Sequence, residues 1–157
     1  MPKNYEDLTI TDNFMFCKVM SDVELCREVI ETLLSIKIER LEQVHSEHTL
    51  NPDVLSKGVR CDVYVKDSDN VYDIELQMCK KSNLALRSRY YQSVFDVDTL
   101  EMGESYEKLK MSYIIFLCPF DYFGGEHPVL TFENMARENS LIKLNDKVLK
   151  IFYNFIK

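Results

Sequence analysis

Residues 58–79 constrain the fold of this chain most, because they read as two strands joined by a polar turn. Apolar and polar residues alternate on both sides of the turn, whose sequence is DSDN. Period-two alternation bounded by Asp, Asn and Ser predicts a β-hairpin. If the turn is symmetric about its two middle residues, Tyr64 faces Asp73 and Asp62 faces Glu75.

The facing carboxylates of Asp62 and Glu75 require a nearby positive charge. Directly opposed residues on one face of a strand pair have Cβ atoms about 5 Å apart. Two carboxylates at that separation repel each other unless something positive lies between them. A divalent metal ion held by Asp62 and Glu75 is the simplest explanation. Spacing alone leaves the alternatives open, because a bulge or slip would separate the acids, and an ordinary hairpin could present both to solvent.

The composition is that of a globular chain, with 46% apolar and 29% charged residues over 157 residues. We expect one domain covering residues 1–157. Its longest apolar run, residues 113–120, is shorter than the roughly 18 residues that a membrane span needs, so we expect no membrane partner. The N-terminus carries no secretory signal pattern. The chain ends in an apolar segment, as a C-terminally truncated domain would.

Cysteine and histidine usage indicates no structural metal site. The five cysteines are scattered singly in apolar settings, which predicts buried thiols in a reducing cytoplasm. His45 and His48 would lie on opposite faces of a strand, so we expect surface roles for them. The net charge of −7 argues against a broad nonspecific grip on nucleic acid but leaves room for local basic patches.

The remaining pattern predicts an α/β fold with a mixed sheet. A capping box at Ser21 and Glu24 predicts a helix over residues 21–36, and a weak strand follows over residues 40–50. After the hairpin, a second helix begins at Ser82 or Asn83 and ends before Gly103. A buried strand is predicted over 111–119, and later strands over 129–133 and 148–155, joined by a connector at 140–146. The order is α-β-β-β-α-β plus C-terminal strands, with a helical crossover after the hairpin.

Five segments carry a resemblance, and they occur in family order. They are TDNFMF (11–16), KGVRCDVYVKDSDNVYDIELQ (57–77), RSRYYQS (87–93), MGESYEKL (102–109) and YIIFL (113–117). With them the chain resembles the PD-(D/E)XK nuclease superfamily and, within it, the transposase-like, recombination-promoting nucleases. The hairpin segment alone is moderately specific, and the set of five is much more so. The resemblance implies a restriction-endonuclease-like core and a phosphodiesterase site dependent on Mg²⁺, with Mn²⁺ as a substitute.

The resemblance also implies roles for particular residues. Asp62 and Glu75 match the family acids on the second and third strands and would bind the ion, with the backbone carbonyl of Leu76 as a third ligand. Glu24 stands where relatives often supply a further acid, although the capping box explains it without a metal. Gln77 stands where the superfamily name has lysine. It can hydrogen-bond a water or a phosphate oxygen, but it brings no positive charge.

Basic residues that follow the hairpin are candidates for binding DNA phosphates. Arg89 is the preferred candidate, with Gln92 on the same helical face, and Arg87, Lys80 and Lys81 complete the patch. The open alternative is that the neighbouring tyrosines pack inward and the cations form a solvated surface. Asp73 could be an outer acid of the site, but surface solvation suffices to explain it.

The expected function is that of a metal-dependent DNA endonuclease from a transposase-like protein. DNA is the expected partner, and the sequence also allows the chain to form a homo-oligomer. One alternative is a catalytically inactive module of nuclease fold that binds DNA or another protein, which the missing lysine and the acidic net charge favour. Another is a metal phosphodiesterase that acts on a small substrate.

Overall fold

The computed structural model describes residues 4–155, and its centre is a six-stranded mixed sheet. The helices are α1 (Asn13–Met20), α2 (Val23–Leu34) and α3 (Leu84–Thr99). The strands are β1 (Gln43–Leu50), β2 (Val59–Lys66), β3 (Asn70–Leu76), β4 (Met111–Cys118), β5 (Val129–Phe132), β6 (Met135–Ala136), β7 (Asn139–Lys143) and β8 (Val148–Asn154). Short 3-10 turns cover Tyr5–Asp7 and Tyr106–Lys108.

The strand order in the main sheet is β1-β2-β3-β4-β8-β5. Strand β2 is antiparallel to both β1 and β3, whereas β4 is parallel to both β3 and β8. The edge strand β5 is antiparallel to β8. Helix α3 makes the crossover from β3 to β4. The predicted α/β fold and its helical crossover are therefore confirmed.

The sheet separates two apolar clusters. One contains buried residues of α1 and α2, such as Cys26 and Ile30, packed with Val63 and Ile74 of the sheet. The other contains residues of α3, among them Phe95, packed with residues of the opposite sheet face. Because both faces are covered, β3 and β4 are buried along almost their whole length, as expected for a parallel crossover unit.

The register of the hairpin is the predicted one, because Tyr64 pairs with Asp73 and Val63 pairs with Ile74. The turn is fixed by Asp67, whose Oδ1 accepts hydrogen bonds from the backbone N–H groups of Asp69 and Asn70. This local bonding is the usual role of aspartate in a turn. The turn chemistry therefore sets which residues of β2 and β3 face each other.

The strict alternation expected along β2 is wrong at Asp62. Val59 and Cys61 pack with the α3 cluster, whereas Val63 packs with the α1 and α2 cluster. The facing residue of β1, Glu47, adopts a left-handed conformation with φ of 52°, so both strands change face at this point. The same change overturns the expectation for the two histidines of β1, since the rings of His45 and His48 stack with centroids 4.5 Å apart.

Several predicted element boundaries are also corrected. The N-cap of α2 is Asp22 rather than Ser21, and its side chain accepts from the N–H groups of Glu24 and Leu25. A capping box at Ser21 is therefore wrong. The strand predicted from residue 40 begins at 43. The supposed connector at 140–146 contains β7, which pairs with β6 in a small separate hairpin.

All five cysteines are free thiols, and all but Cys79 are buried, as their apolar settings predicted. Among residues 4–155, no helix combines the length and the apolar character needed to cross a bilayer.

Candidate active site

The two acids singled out from the sequence meet where β2 and β3 part, at the end of the hairpin far from the turn. The N–H of Asp62 donates to Oε1 of Glu75 at 2.9 Å, and the N–H of Leu76 donates to Oδ2 of Asp62 at 3.0 Å. Each carboxylate thus accepts from the backbone of the opposite strand, just beyond the last regular pair of the ladder. These reciprocal bonds hold the two acids side by side.

A third acid lies behind them. Asp73 is fully buried on β3, and neither of its carboxylate oxygens has a hydrogen-bond partner among the described residues. Ligand atoms of Cys61, Asp73 and Glu75 all lie within 4.8 Å of one another. The expectation that solvation explains Asp73 is therefore wrong, because α3 covers this face of the sheet.

Burial changes the proton affinity of all three acids. Burial, together with repulsion from Asp62, raises the pKa of Glu75 to about 7. Burial also raises the pKa of Asp62, although the hydrogen bond from the Leu76 N–H opposes this effect. The pKa of Asp73 lies well above its usual value because of burial and the nearby Glu75. The site thus concentrates more acidic groups than its surroundings neutralise.

Among residues 4–155, Arg87 of α3 is the cation that forms an ion pair with this cluster. Its Nη2 donates to Oε2 of Glu75, and its Nη1 donates to Oε1 of Gln77 at 2.8 Å. The guanidinium lies over the rings of Tyr91 and Phe116, at 5.0 and 5.5 Å from their centroids. Gln77 is itself buried and donates through Nε2 to the carbonyl of Cys79. The glutamine therefore anchors an arginine beside the acids.

The donor set fits a divalent cation. Ligand atoms of Cys61, Asp73 and Glu75 converge on a buried place, one guanidinium contacts Glu75, and the oxygens of Asp73 have no hydrogen-bond partner among residues 4–155. A buried carboxylate without a partner is costly, and an ion with oxygen ligands would relieve that cost.

Beside Arg87 lies a groove with a basic lining. It has a volume of about 640 Å³, and its lining includes Lys57, Lys81, Arg89 and the ring of Tyr90. Arg89 and Lys81 are exposed, and the Tyr90 hydroxyl donates to the carbonyl of Lys57. The groove thus presents cations in an otherwise acidic chain, next to the acid cluster.

Three predicted residues lie apart from this groove and cluster. Lys80 donates to the carbonyl of Asp121 at 3.0 Å. Gln92 is buried and donates to Asp96, so it does not share an exposed surface with Arg89.

Glu24 is the third of them. Its carboxylate is 71% exposed on α2 and forms an ion pair with Arg27 at 2.7 Å. None of the contacts described for the chain joins Glu24 to Asp62 or Glu75.

Two residues that the sequence analysis named only as secondary candidates, Arg87 and Asp73, carried clearer signals than it used. Arg87 is three residues after Leu84 and four before Tyr91, both buried, so it lies on the packed side of α3. Arg89 is off that stripe, which is why it faces solvent. Asp73 alternates with apolar residues on a strand that precedes a crossover helix, and such strands are covered on both faces.

A family model described as PD-(D/E)XK nuclease family transposase matches residues 14–157. The match includes the hairpin, the crossover helix and all the site residues described above. No curated protein and no solved structure gives a significant match to the chain.

Proposed function

Because the chain belongs to the PD-(D/E)XK nuclease family transposases, we propose that it is a metal-dependent DNA endonuclease. The observation that carries the proposal is the reciprocal pair of hydrogen bonds that sets Asp62 beside Glu75. Two carboxylates from neighbouring strands, held together in this way, form a ligand pair suited to metal-dependent hydrolysis of a phosphodiester.

Asp62 and Glu75 would hold Mg²⁺ or Mn²⁺, and the backbone carbonyl of Leu76 is the proposed third ligand. When bound, the ion would activate water and offset negative charge on the scissile phosphate. The protein's part is to keep both carboxylates fixed in orientation. Their hydrogen bonds to backbone N–H groups do this, since those bonds set the orientation of each carboxylate.

Arg87 supplies the positive charge that Gln77 lacks. Its guanidinium donates to Gln77 and lies over the rings of Tyr91 and Phe116, so it is preorganised before substrate arrives. A preorganised cation beside the acids would stabilise charge that builds up on the phosphate oxygens. We assign Gln77 the role of positioning Arg87.

The basic groove beside Arg87 is the proposed path of the DNA backbone. Lys81 and Arg89 are exposed along it and would contact phosphates on either side of the cleaved bond. These contacts are local, so they agree with an acidic net charge of −7. Because Lys81 and Arg89 are exposed, we assign them to DNA binding. Because Arg87 is half-buried beside the acids, we assign it to the chemical step.

Cleavage of supercoiled plasmid DNA with Mg²⁺ or Mn²⁺ tests the proposal. Asp62→Asn and Glu75→Gln should each abolish cleavage, and a chelator should do the same to the wild type. Glu28→Gln, which changes an exposed acid of α2, is the matched control and should cleave normally. Thermal melting checks that each variant is folded. Cleavage that persists in both site variants would overturn the assignment.

One observation favours a second candidate, a nuclease-fold module that binds DNA without cutting it. Both oxygens of Glu75 already have partners, because Oε1 accepts from Asp62 and Oε2 accepts from Arg87. In this alternative the arginine permanently takes the place of the ion. Calorimetric titration separates the two candidates: folded protein that binds DNA but neither Mg²⁺ nor Mn²⁺ supports the module.

A further inference from the structure

Behind the proposed magnesium ligands lies a group of residues with a different donor chemistry. Cys61, Asp73 and Glu75 each place one ligand atom within 4.8 Å of the other two, and all three side chains are essentially inaccessible to solvent. Cys61 joins the two acids only because β2 changes face at Asp62. Sulfur and carboxylate oxygen are thereby combined at one buried place.

The unpartnered carboxylate of Asp73 indicates that this group lacks a component. Both of its oxygens are buried without a hydrogen-bond partner among the described residues. The nearest cation, Arg87, is directed at Glu75 and Gln77 instead. A buried carboxylate left in this state costs several kcal/mol unless a proton or a cation joins it.

We propose that Cys61, Asp73 and Glu75 form a binding site for a thiophilic divalent cation of the Zn²⁺ class, distinct from the Mg²⁺ position at Asp62 and Glu75.

The donor set selects the ion. Zn²⁺ accepts thiolate at about 2.3 Å and carboxylate at about 2.0–2.2 Å in tetrahedral geometry, so small side-chain shifts would close a site of this size. Mg²⁺ prefers oxygen ligands and octahedral geometry, which a thiol-containing group of three does not offer. Charge balance also agrees, because three anionic ligands would be offset by one divalent ion together with Arg87.

Access to the site runs through the basic groove. Arg87 lines that groove and contacts Glu75, so movement of its side chain would open a path to the buried ligands. Since Glu75 belongs to both sites, Zn²⁺ would compete with Mg²⁺ for it. Zn²⁺ would therefore inhibit cleavage. This inhibition rests on the proposed nuclease function, whereas the binding of Zn²⁺ does not.

Direct binding measurements on the full chain test the site without any cleavage assay. We expect one Zn²⁺ per chain by competition with a chelating dye, retained in excess Mg²⁺. Co²⁺ as a probe should give a near-ultraviolet thiolate-to-metal charge-transfer band. Cys61→Ala should abolish the band, and Cys61→Ala and Asp73→Asn should each weaken Zn²⁺ binding by at least about tenfold.

Two matched cysteine variants serve as controls. Cys79→Ala removes the exposed thiol and Cys118→Ala removes a buried thiol outside the group, and both should keep the band. If Cys61→Ala does not fold, the wild-type Co²⁺ spectrum and the Zn²⁺ affinity of Asp73→Asn still test the proposal.

A wild-type Co²⁺ complex without a thiolate band, or an unchanged Zn²⁺ affinity in Asp73→Asn, would overturn the proposal. If the wild type does not cleave DNA in the presence of Mg²⁺, that result counts against the nuclease function and leaves the Zn²⁺ site unaffected.

Discussion

Gln77 accepts a hydrogen bond from Arg87, with 2.8 Å between Oε1 of the glutamine and Nη1 of the arginine. The other terminal nitrogen of the guanidinium donates to Glu75. Gln77 lies two residues after Glu75, just past the end of β3, so one planar guanidinium contacts both side chains. The positive charge that a lysine at residue 77 would bring therefore comes from α3.

Replacing Arg87 with lysine should lower the cleavage rate at saturating DNA by about 10²-fold, because an ammonium group cannot contact both Glu75 and Gln77. Single-turnover assays with Mg²⁺ measure this rate. Arg40→Lys makes the same chemical change at an exposed residue away from the site and should leave the rate unchanged. An unaltered rate in Arg87→Lys would remove Arg87 from the chemical step.

Neutralising the groove should weaken DNA binding rather than the chemical step. We expect the double variant Lys81→Gln with Arg89→Gln to raise Kd about tenfold and to reduce the slope of log K against log salt by about 2. Fluorescence anisotropy in a Glu75→Gln background measures both quantities without cleavage. Lys37→Gln removes a cation that is 93% exposed on another surface and is the control. A salt slope equal to that of the control would place the DNA elsewhere.

The sequence was sufficient where local chemistry decides the structure. The turn at Asp67 is built from hydrogen bonds within four residues, so the facing of Tyr64 and Asp73 could be predicted from it. From that register followed the proximity of Asp62 and Glu75. The crossover from β3 to β4 also followed, since the helix between them leaves a parallel pairing as the natural connection.

Contacts between distant segments were beyond the same reasoning. The change of face at Asp62 coincides with the left-handed backbone of Glu47 on another strand, which period-two alternation cannot indicate. Without that change, Cys61 would not meet Asp73. The burial of Asp73 likewise depends on α3 lying over the sheet, a tertiary fact that overrides the polar character of the residue.

The stability of the metal-free protein should fall as pH rises from about 5 to 8. Burial raises the pKa of Glu75 to about 7 from the usual 4.5, so between these values the folded state holds a proton that the unfolded state releases. The free energy of unfolding then decreases with pH, by about 2–3 kcal/mol in total. Urea unfolding in a chelator measures it. A Glu75→Gln variant should show a smaller pH dependence than the wild type, with the remainder coming from Asp73 and Asp62, and an unchanged dependence would contradict the assignment.

Asp73→Asn should stabilise the metal-free protein at pH 8. The pKa of Asp73 is raised by burial and by Glu75, so the folded wild type loses free energy as pH rises and this carboxyl ionises. An asparagine of the same shape stays neutral and can donate to the Glu75 carboxylate, which predicts a gain of about 1–3 kcal/mol at pH 8. The gain should be smaller at pH 5 than at pH 8, because a raised pKa makes the Asp73 carboxyl of the folded wild type more costly as pH rises. Asp53→Asn, at an exposed position, should change neither value, and an Asp73→Asn variant less stable than wild type at pH 8 would show that the carboxylate has a partner.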